Sequence, residues 1–277
     1  MTAVYSGLIG WPVAHSLSPV IHHYWRAQHG IAGDYTLFPI NPERFDDDVK
    51  TLQRQNLRGF NVTVPYKERI LAQLDTIDPV AQHIGAVNTV VRDGTTWRGT
   101  NTDAYGFITH LQASATALDL SRVVLLGAGG AARAAIVALQ ETGAGELMLI
   151  NRTAETAAAL AAEFGCKTGD WEARNDALDG ATLLVNTTSL GMTGKPPLTL
   201  ALDALAPQAV VYDIVYAPLE TALLKQAKIT GRQPVDGLGM LLYQAQKAFE
   251  EWHGILPVVD DTLRQHVLAE LAAREQA

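Results

Sequence analysis

The sequence is poor in cysteine, in positive charge and in long apolar runs, and each shortage closes off a class of protein. Cys166 is the only cysteine among 277 residues, so no intramolecular disulfide can form, which fits a reducing compartment. No stretch of 18 apolar residues is free of charge, glycine or turn signals, so no membrane span is expected. The opening Met1-Thr2-Ala3-Val4-Tyr5-Ser6-Gly7 lacks a basic segment followed by an apolar core, which argues against a secretory signal. A formal net charge of −8 removes the basic field that a nucleic-acid partner needs, yet leaves room for an anionic ligand gripped by a few arginines. Repeats of fixed period and low-complexity segments are absent as well. Metal chemistry has little to work with: His22 and His23 are adjacent and face different sides of a helix, and neither they nor His15 fall in an H-E-x-x-H spacing. The expectation is a soluble cytoplasmic protein with a small-molecule partner and no nucleic acid, membrane or metal.

What is present is enough chain for two ordinary domains, with a strongly patterned middle. The run Arg122-Val123-Val124-Leu125-Leu126 stops at Gly127-Ala128-Gly129-Gly130-Ala131, and an alanine-rich helical segment follows at once. Gly127, Gly129 and Ala132 fall in the register of the dinucleotide fingerprint G-x-G-x-x-G/A. Gly127 permits the tight turn, Gly129 lets backbone approach a pyrophosphate, and Ala132 keeps helix and strand close. The first helical N–H groups then face the phosphates. A purely structural turn is the competing reading. After a second strand over residues 146–150 comes Asn151-Arg152-Thr153, where an NAD-binding unit usually carries Asp or Glu. A carboxylate there would repel a 2′-phosphate, whereas Arg152 can fork onto one and Asn151 and Thr153 can donate further. The sequence therefore prefers NADP to NAD. The alternative is a solvated arginine beside a threonine that merely caps the next helix.

Along the chain, strands are predicted over residues 4–9, 34–40 and 59–64, and helices from Ser18-Pro19, with Ser18 as N-cap, and over 42–55. Residues 70–84 read as one or two helices, the second starting at Asp78-Pro79. Residues 85–91 and 96–99 read as a hairpin over Asp93-Gly94. Thr100-Asn101-Thr102-Asp103 caps a helix to about residue 111, and residues 114–119 form a small-residue linker. Beyond the glycine turn, strands at 181–186 and 209–214, a helix at 221–229 and a loop at 234–239 continue an open doubly wound sheet, whose ligands bind at the carboxyl ends of its strands. Helices at 240–252 and 260–274 have no strand between them and are expected to pack back on the first domain. The predicted fold is α/β in two domains: residues 1–113 plus 239–277 as a substrate domain, and 114–238 as a Rossmann-type NADP domain.

Thr63, Lys67, Asn88 and Asp103 stand where strands of the first domain should end, a usual mounting for catalytic groups. A nicotinamide enzyme moves only a hydride, so a carbonyl substrate also needs a proton donor, and a lysine oriented by a carboxylate can serve. Surface lysine and helix-cap aspartate is the competing reading of Lys67 and Asp103, as simple capping is of Ser16 and Ser18.

Taken together, Ser16-Leu17-Ser18, Asn61-Val62-Thr63-Val64-Pro65-Tyr66-Lys67, Gly85-Ala86-Val87-Asn88-Thr89 and Asn101-Thr102-Asp103 resemble signature segments of shikimate dehydrogenases. So do Gly127-Ala128-Gly129-Gly130-Ala131, Asn151-Arg152-Thr153, Asn186-Thr187-Thr188-Ser189-Leu190-Gly191-Met192 and the segment from Gly237 to Gln244. The resemblance implies reversible NADPH-dependent reduction of 3-dehydroshikimate to shikimate, in aromatic amino-acid biosynthesis. It implies Lys67 and Asp103 as the catalytic pair, and Ser16, Ser18, Thr63, Asn88, Tyr216 and Gln244 as substrate ligands. For NADP it implies Gly127, Ala128, Gly129, Gly130, Ala131, Asn151, Arg152 and Thr153, with Thr187, Ile214, Gly237 and Met240 toward the nicotinamide. Relatives that take quinate with NAD carry an acidic residue after the second strand, which this sequence lacks. A monomer or a homodimer is expected.

Overall fold

The computed structural model describes residues 4–115 and 117–275. Met1-Thr2-Ala3 of the opening segment, Thr116 of the expected linker and the last two residues of the C-terminal segment lie outside the described residues.

The chain divides into two compact units, Met1–Gly106 with Leu241–Ala277, and Phe107–Met240. The first begins with β1 (Val4–Gly10), α1 (Ser18–Gln28), β2 (Gly33–Pro39), α2 (Phe45–Gln53) and β3 (Gly59–Val62). It continues with β4 (Thr76–Ile77), α3 (Pro79–Ile84), β5 (Thr89–Asp93), β6 (Thr96–Thr100) and the start of α4 (Asp103–Ser114). The sheet order is β2-β1-β3-β5-β6-β4. β1 pairs parallel with β2 and β3, the arrangement that strand–helix alternation dictates. β3–β5 and β5–β6 are antiparallel, the latter closed over Asp93↔Thr96 with Gly94 at φ 65°.

Period-two alternation gives the sheet two buried faces. Ile9, Phe60 and Val62 pack with Phe45, Val49 and Leu52, which α2 presents on one stripe. Leu8, Val91 and Tyr35 pack on the opposite side with Ala248 and Trp252.

The second unit contains β7 (Arg122–Leu126), α5 (Gly130–Glu141), β8 (Glu146–Ile150), α6 (Ala154–Phe164) and β9 (Lys167–Gly169). Then come β10 (Leu183–Asn186), β11 (Val210–Asp213), α7 (Ala222–Ile229) and β12 (Gln233–Val235). All six strands are parallel in the order β12-β11-β10-β7-β8-β9. Numbered from the first strand of the unit, this is the 3-2-1-4-5-6 arrangement of a dinucleotide-binding sheet, whose switch point lies between β7 and β10. Val123, Val124, Leu125 and Leu126 are all buried, as a strand covered on both faces requires. The fold is α/β with a doubly wound second sheet. The chain returns to the first unit within α8 (Leu238–His253) and ends in α9 (Asp261–Glu275). Trp252 Nε1 donates to the Val90 carbonyl at 3.0 Å and Trp25 Nε1 to the Val258 carbonyl at 3.1 Å, fastening the C-terminal segment to the first sheet and to α1.

Several details depart from the sequence reading, among them β9, where the sequence predicts no strand. Ser18 is the first residue of α1 rather than its N-cap; Leu17 holds that position and makes no side-chain cap bond. Residues 76–77 form an edge strand, and residues 233–235, read mostly as loop, form β12 at the edge of the second sheet. Among the described residues no helix is long and apolar enough to cross a membrane.

Candidate active site

In the first unit the polar residues at the strand ends converge. Lys67 lies in the turn after β3, where its carbonyl accepts from Val87 N–H at 2.7 Å. Asp103 opens α4, its N–H held by Asn101 Oδ1 at 2.9 Å. Lys67 Nζ donates to Asp103 Oδ2 at 2.5 Å, the side chains 18% and 6% exposed. Asn88 Nδ2 donates to the other carboxylate oxygen at 2.8 Å and to Thr102 Oγ1 at 3.0 Å. Each oxygen of a nearly buried carboxylate therefore has a donor, which removes much of the cost of keeping it there. Of the two side chains the lysine is the more open to solvent.

Asn88 is oriented in turn. Its Oδ1 accepts from Thr102 N–H at 2.7 Å and from Thr89 Oγ1 at 3.0 Å. Asn61 Nδ2 donates to the Asn88 carbonyl at 3.1 Å and to Thr89 Oγ1 at 2.9 Å, while its Oδ1 accepts from Tyr35. Gln244 lies 3.5 Å from Asn88 Nδ2 and donates to the Leu241 carbonyl. Ser16 Oγ donates to Ser18 Oγ at 3.1 Å and accepts from Ser18 N–H at 3.2 Å, a pair at the start of α1. Thr63 sits half-buried against Gly10, where a Cβ would come within 2.4 Å of its methyl. Lys67, Asp103, Asn88 and Gln244 thus form one cluster, and Ser16 with Ser18 a second.

In the second unit the glycine turn has the shape a pyrophosphate needs. Gly127 adopts φ 109°, and a Cβ there would lie 2.5 Å from Thr187 Oγ1, so only glycine fits. Gly129 is the N-cap of α5, with open space around any Cβ and no side chain to satisfy the first N–H groups of the helix. Ala128, Gly130 and Ala131 line the same turn, and Ala132 is fully buried. At the end of β8 Asn151 Nδ2 donates to the Thr153 carbonyl, and Arg152 is exposed with no carboxylate in the Asn151-Arg152-Thr153 turn. Thr153 is the N-cap of α6 but makes no side-chain cap bond, so capping does not account for its hydroxyl. These residues fit a dinucleotide bearing a 2′-phosphate.

Thr187 Oγ1 donates to the Leu126 carbonyl at 2.7 Å and closes the turn from the β10 side. Ile214 follows β11, and its carbonyl lies 2.1 Å from where a Cβ on Gly237 would stand. Tyr216 and Met240 lie beyond, half-buried and buried. Two residues at these strand ends carried no expected role: Asn186 and Asp213, joined at 2.9 Å and fully buried. Burial pushes the Asp213 carboxyl above the ordinary carboxylate range, against the opposing pull of its bonds from Thr221, Val215 and Asn186. Asp213 ends an apolar strand run, a position that does not by itself mark a buried acceptor. Among the described residues no group of three His, Cys, Asp or Glu is placed to hold a metal ion.

The profile of the shikimate dehydrogenase substrate binding domain matches residues 8–90, that of shikimate / quinate 5-dehydrogenase matches 110–190, and that of the shikimate 5′-dehydrogenase C-terminal domain matches 237–264. The chain is 48% identical to shikimate dehydrogenase (NADP(+)) of Nitrobacter winogradskyi, over 98% of this chain and 99% of that one. The chain belongs to the shikimate dehydrogenase family. Its fold superimposes on shikimate 5-dehydrogenase of Thermus thermophilus, solved in complex with NADP(H) and shikimate, with a TM-score of 0.85 and 38% identity over 97% of this chain and 99% of that one. Quinate dehydrogenase of Corynebacterium glutamicum, solved with NAD, aligns with a TM-score of 0.87 at 31% identity, over 96% of this chain and 99% of that one. Family members are oxidoreductases, and the glycine turn and the Lys67–Asp103 pair are the parts of this chain suited to that chemistry.

Proposed function

We propose that the chain catalyses the reversible NADPH-dependent reduction of 3-dehydroshikimate to shikimate, in the cytoplasm and as a step toward aromatic amino acids. The substrate domain is assigned to residues 1–113 with 239–277, and the NADP domain to 114–238. NADPH, when bound, supplies the hydride. Lys67 donates a proton to the C3 oxygen as the carbonyl becomes an alcohol, and takes it back in the oxidative direction. Asp103 keeps the ammonium aimed, with Asn88 holding the second carboxylate oxygen. Ser16 and Ser18 suit the substrate carboxylate, because paired hydroxyls at a helix start donate to an anion beside the positive end of the helix dipole. Thr63, Asn88 and Gln244 suit the ring hydroxyls, since amides and hydroxyls discriminate such groups well. Tyr216, in the second unit, carries the same substrate assignment. Gly127, Ala128, Gly129, Gly130 and Ala131 cradle the pyrophosphate. Asn151, Arg152 and Thr153 take the 2′-phosphate, and Thr187, Ile214, Gly237 and Met240 the nicotinamide end.

The observation that carries this reading is the 2.5 Å contact between Lys67 and Asp103, a proton donor and its orienting carboxylate, in a unit matching the family's substrate domain. A spectrophotometric assay of shikimate and quinate against NADP and NAD tests it. Turnover of shikimate with NADP well above the other three combinations is expected. Quinate oxidation with NAD at a comparable rate would replace it with a broader quinate/shikimate activity, and the exposed Arg152 in place of a carboxylate speaks against that outcome.

A further inference from the structure

In a doubly wound sheet the two mononucleotide halves bind the two nucleotides of the cofactor. Here β7, β8 and β9 carry the glycine turn and Arg152, so the carboxyl ends of β10 and β11 serve the nicotinamide half. The loops leaving those two ends are laced together by side chains. Asn186 Oδ1 accepts from Thr188 N–H at 3.0 Å and Thr188 Oγ1 at 2.7 Å, and its Nδ2 donates to the Leu190 carbonyl at 3.2 Å. The same Nδ2 donates to Asp213 Oδ1 at 2.9 Å, which also accepts from Val215 N–H at 3.1 Å. Asp213 Oδ2 accepts from Thr221 Oγ1 at 2.7 Å. One fully buried carboxylate therefore collects the loop after β10, the loop after β11 and the start of α7. Thr187, packed on Gly127, and Ile214, packed on Gly237, hang from these loops.

We propose that Asp213 is a positioning residue for the nicotinamide half of NADP(H): through Asn186 and the Val215 N–H it holds the loops after β10 and β11 in the shape that receives that half, without touching it. This rests on the NADP reading above. Replacing Asp213 by alanine strands three buried donors, so both loops relax. The adenosine half is held from β7 and β8 and does not depend on this carboxylate.

Titration of NADPH and of adenosine 2′,5′-bisphosphate, which carries the 2′-phosphate but no nicotinamide, separates the two halves. Asp213→Ala is expected to weaken NADPH about tenfold or more and leave adenosine 2′,5′-bisphosphate within about twofold. Asp213→Asn should restore most of the NADPH affinity, because its amide oxygen still accepts from Asn186 and Val215 while its NH2 can donate to Thr221 Oγ1. Thr188→Val, which trims the lacing outside the core, should show the alanine pattern more weakly. Equal weakening of both ligands, or unchanged NADPH affinity, overturns the proposal. Should Asp213→Ala fail to fold, Thr188→Val decides by the same criteria. Wild-type protein that binds neither ligand would overturn the NADP reading and this inference with it.

Discussion

At Asp103 each carboxylate oxygen has one donor of its own, Lys67 on Oδ2 and Asn88 on Oδ1. Removing the lysine leaves the carboxylate anchored from behind and takes away only the group that can pass a proton. Lys67→Ala is therefore expected to lower kcat about 10²-fold or more while the KM for shikimate changes little. Near-normal turnover in steady-state assays would end the proton-donor role. At the end of β8 the test is one of charge. Arg152→Ala should raise the KM for NADPH about tenfold or more, the size of a lost charge-assisted hydrogen bond, and leave that for NADH nearly untouched. Equal effects on both cofactors would refute a 2′-phosphate contact. The residue types at both places were legible in the sequence, but their proximity was not. Lys67 and Asp103 are separated by 36 positions, and only the pairing of β3, β5 and β6 brings them within a hydrogen bond.

Among the elements, the β7 turn into α5 is constrained twice, by the positive φ of Gly127 and by the packing of Thr187 against it. Gly127→Ala would place a side chain at φ 109° and against Thr187, at a cost of about 1–3 kcal/mol for the backbone conformation alone. A lower melting temperature together with lost NADPH binding is expected; a variant that binds normally would show the turn to be more tolerant than its geometry states. Elements with a strong period, such as α2 with Phe45, Val49 and Leu52 on one stripe, could be read directly from the residues. The elements missed, β4, β9 and β12, are two or three residues long and each sits at a sheet edge. So short a run shows no period, and Pro234 within β12 reads as loop because proline cannot donate to a ladder, a lack that an edge tolerates. Asp213 escaped for another reason. Nothing in Val210-Val211-Tyr212-Asp213 distinguishes a buried acceptor from an exposed strand end.

Across the whole molecule, stability should depend on two histidines that the proposed chemistry does not use. His22 is stacked on Tyr35 with both ring nitrogens lacking a partner, and burial, followed by His253, Arg26 and His23, holds it well below its ordinary 6.5. Burial, then Arg26, lowers His253 to about 4. Both stay neutral in the folded chain while the unfolded chain takes up protons below 6.5, so stability is full above that pH and falls toward pH 4. His22→Phe keeps a ring in the stack and removes one titration. The melting temperature of this variant relative to wild type is expected to climb as the pH drops below 6.5; a difference that stays constant across pH would refute the assignment. The two crossings of the chain, within α4 and within α8, have a further consequence. Residues 107–240 are continuous, whereas the first unit is assembled from both ends of the sequence. On the ribosome the inner unit is complete while its host still waits for residues 241–277, and until they emerge the side of the first sheet carrying Leu8 and Tyr35 has no Ala248 or Trp252 to cover it.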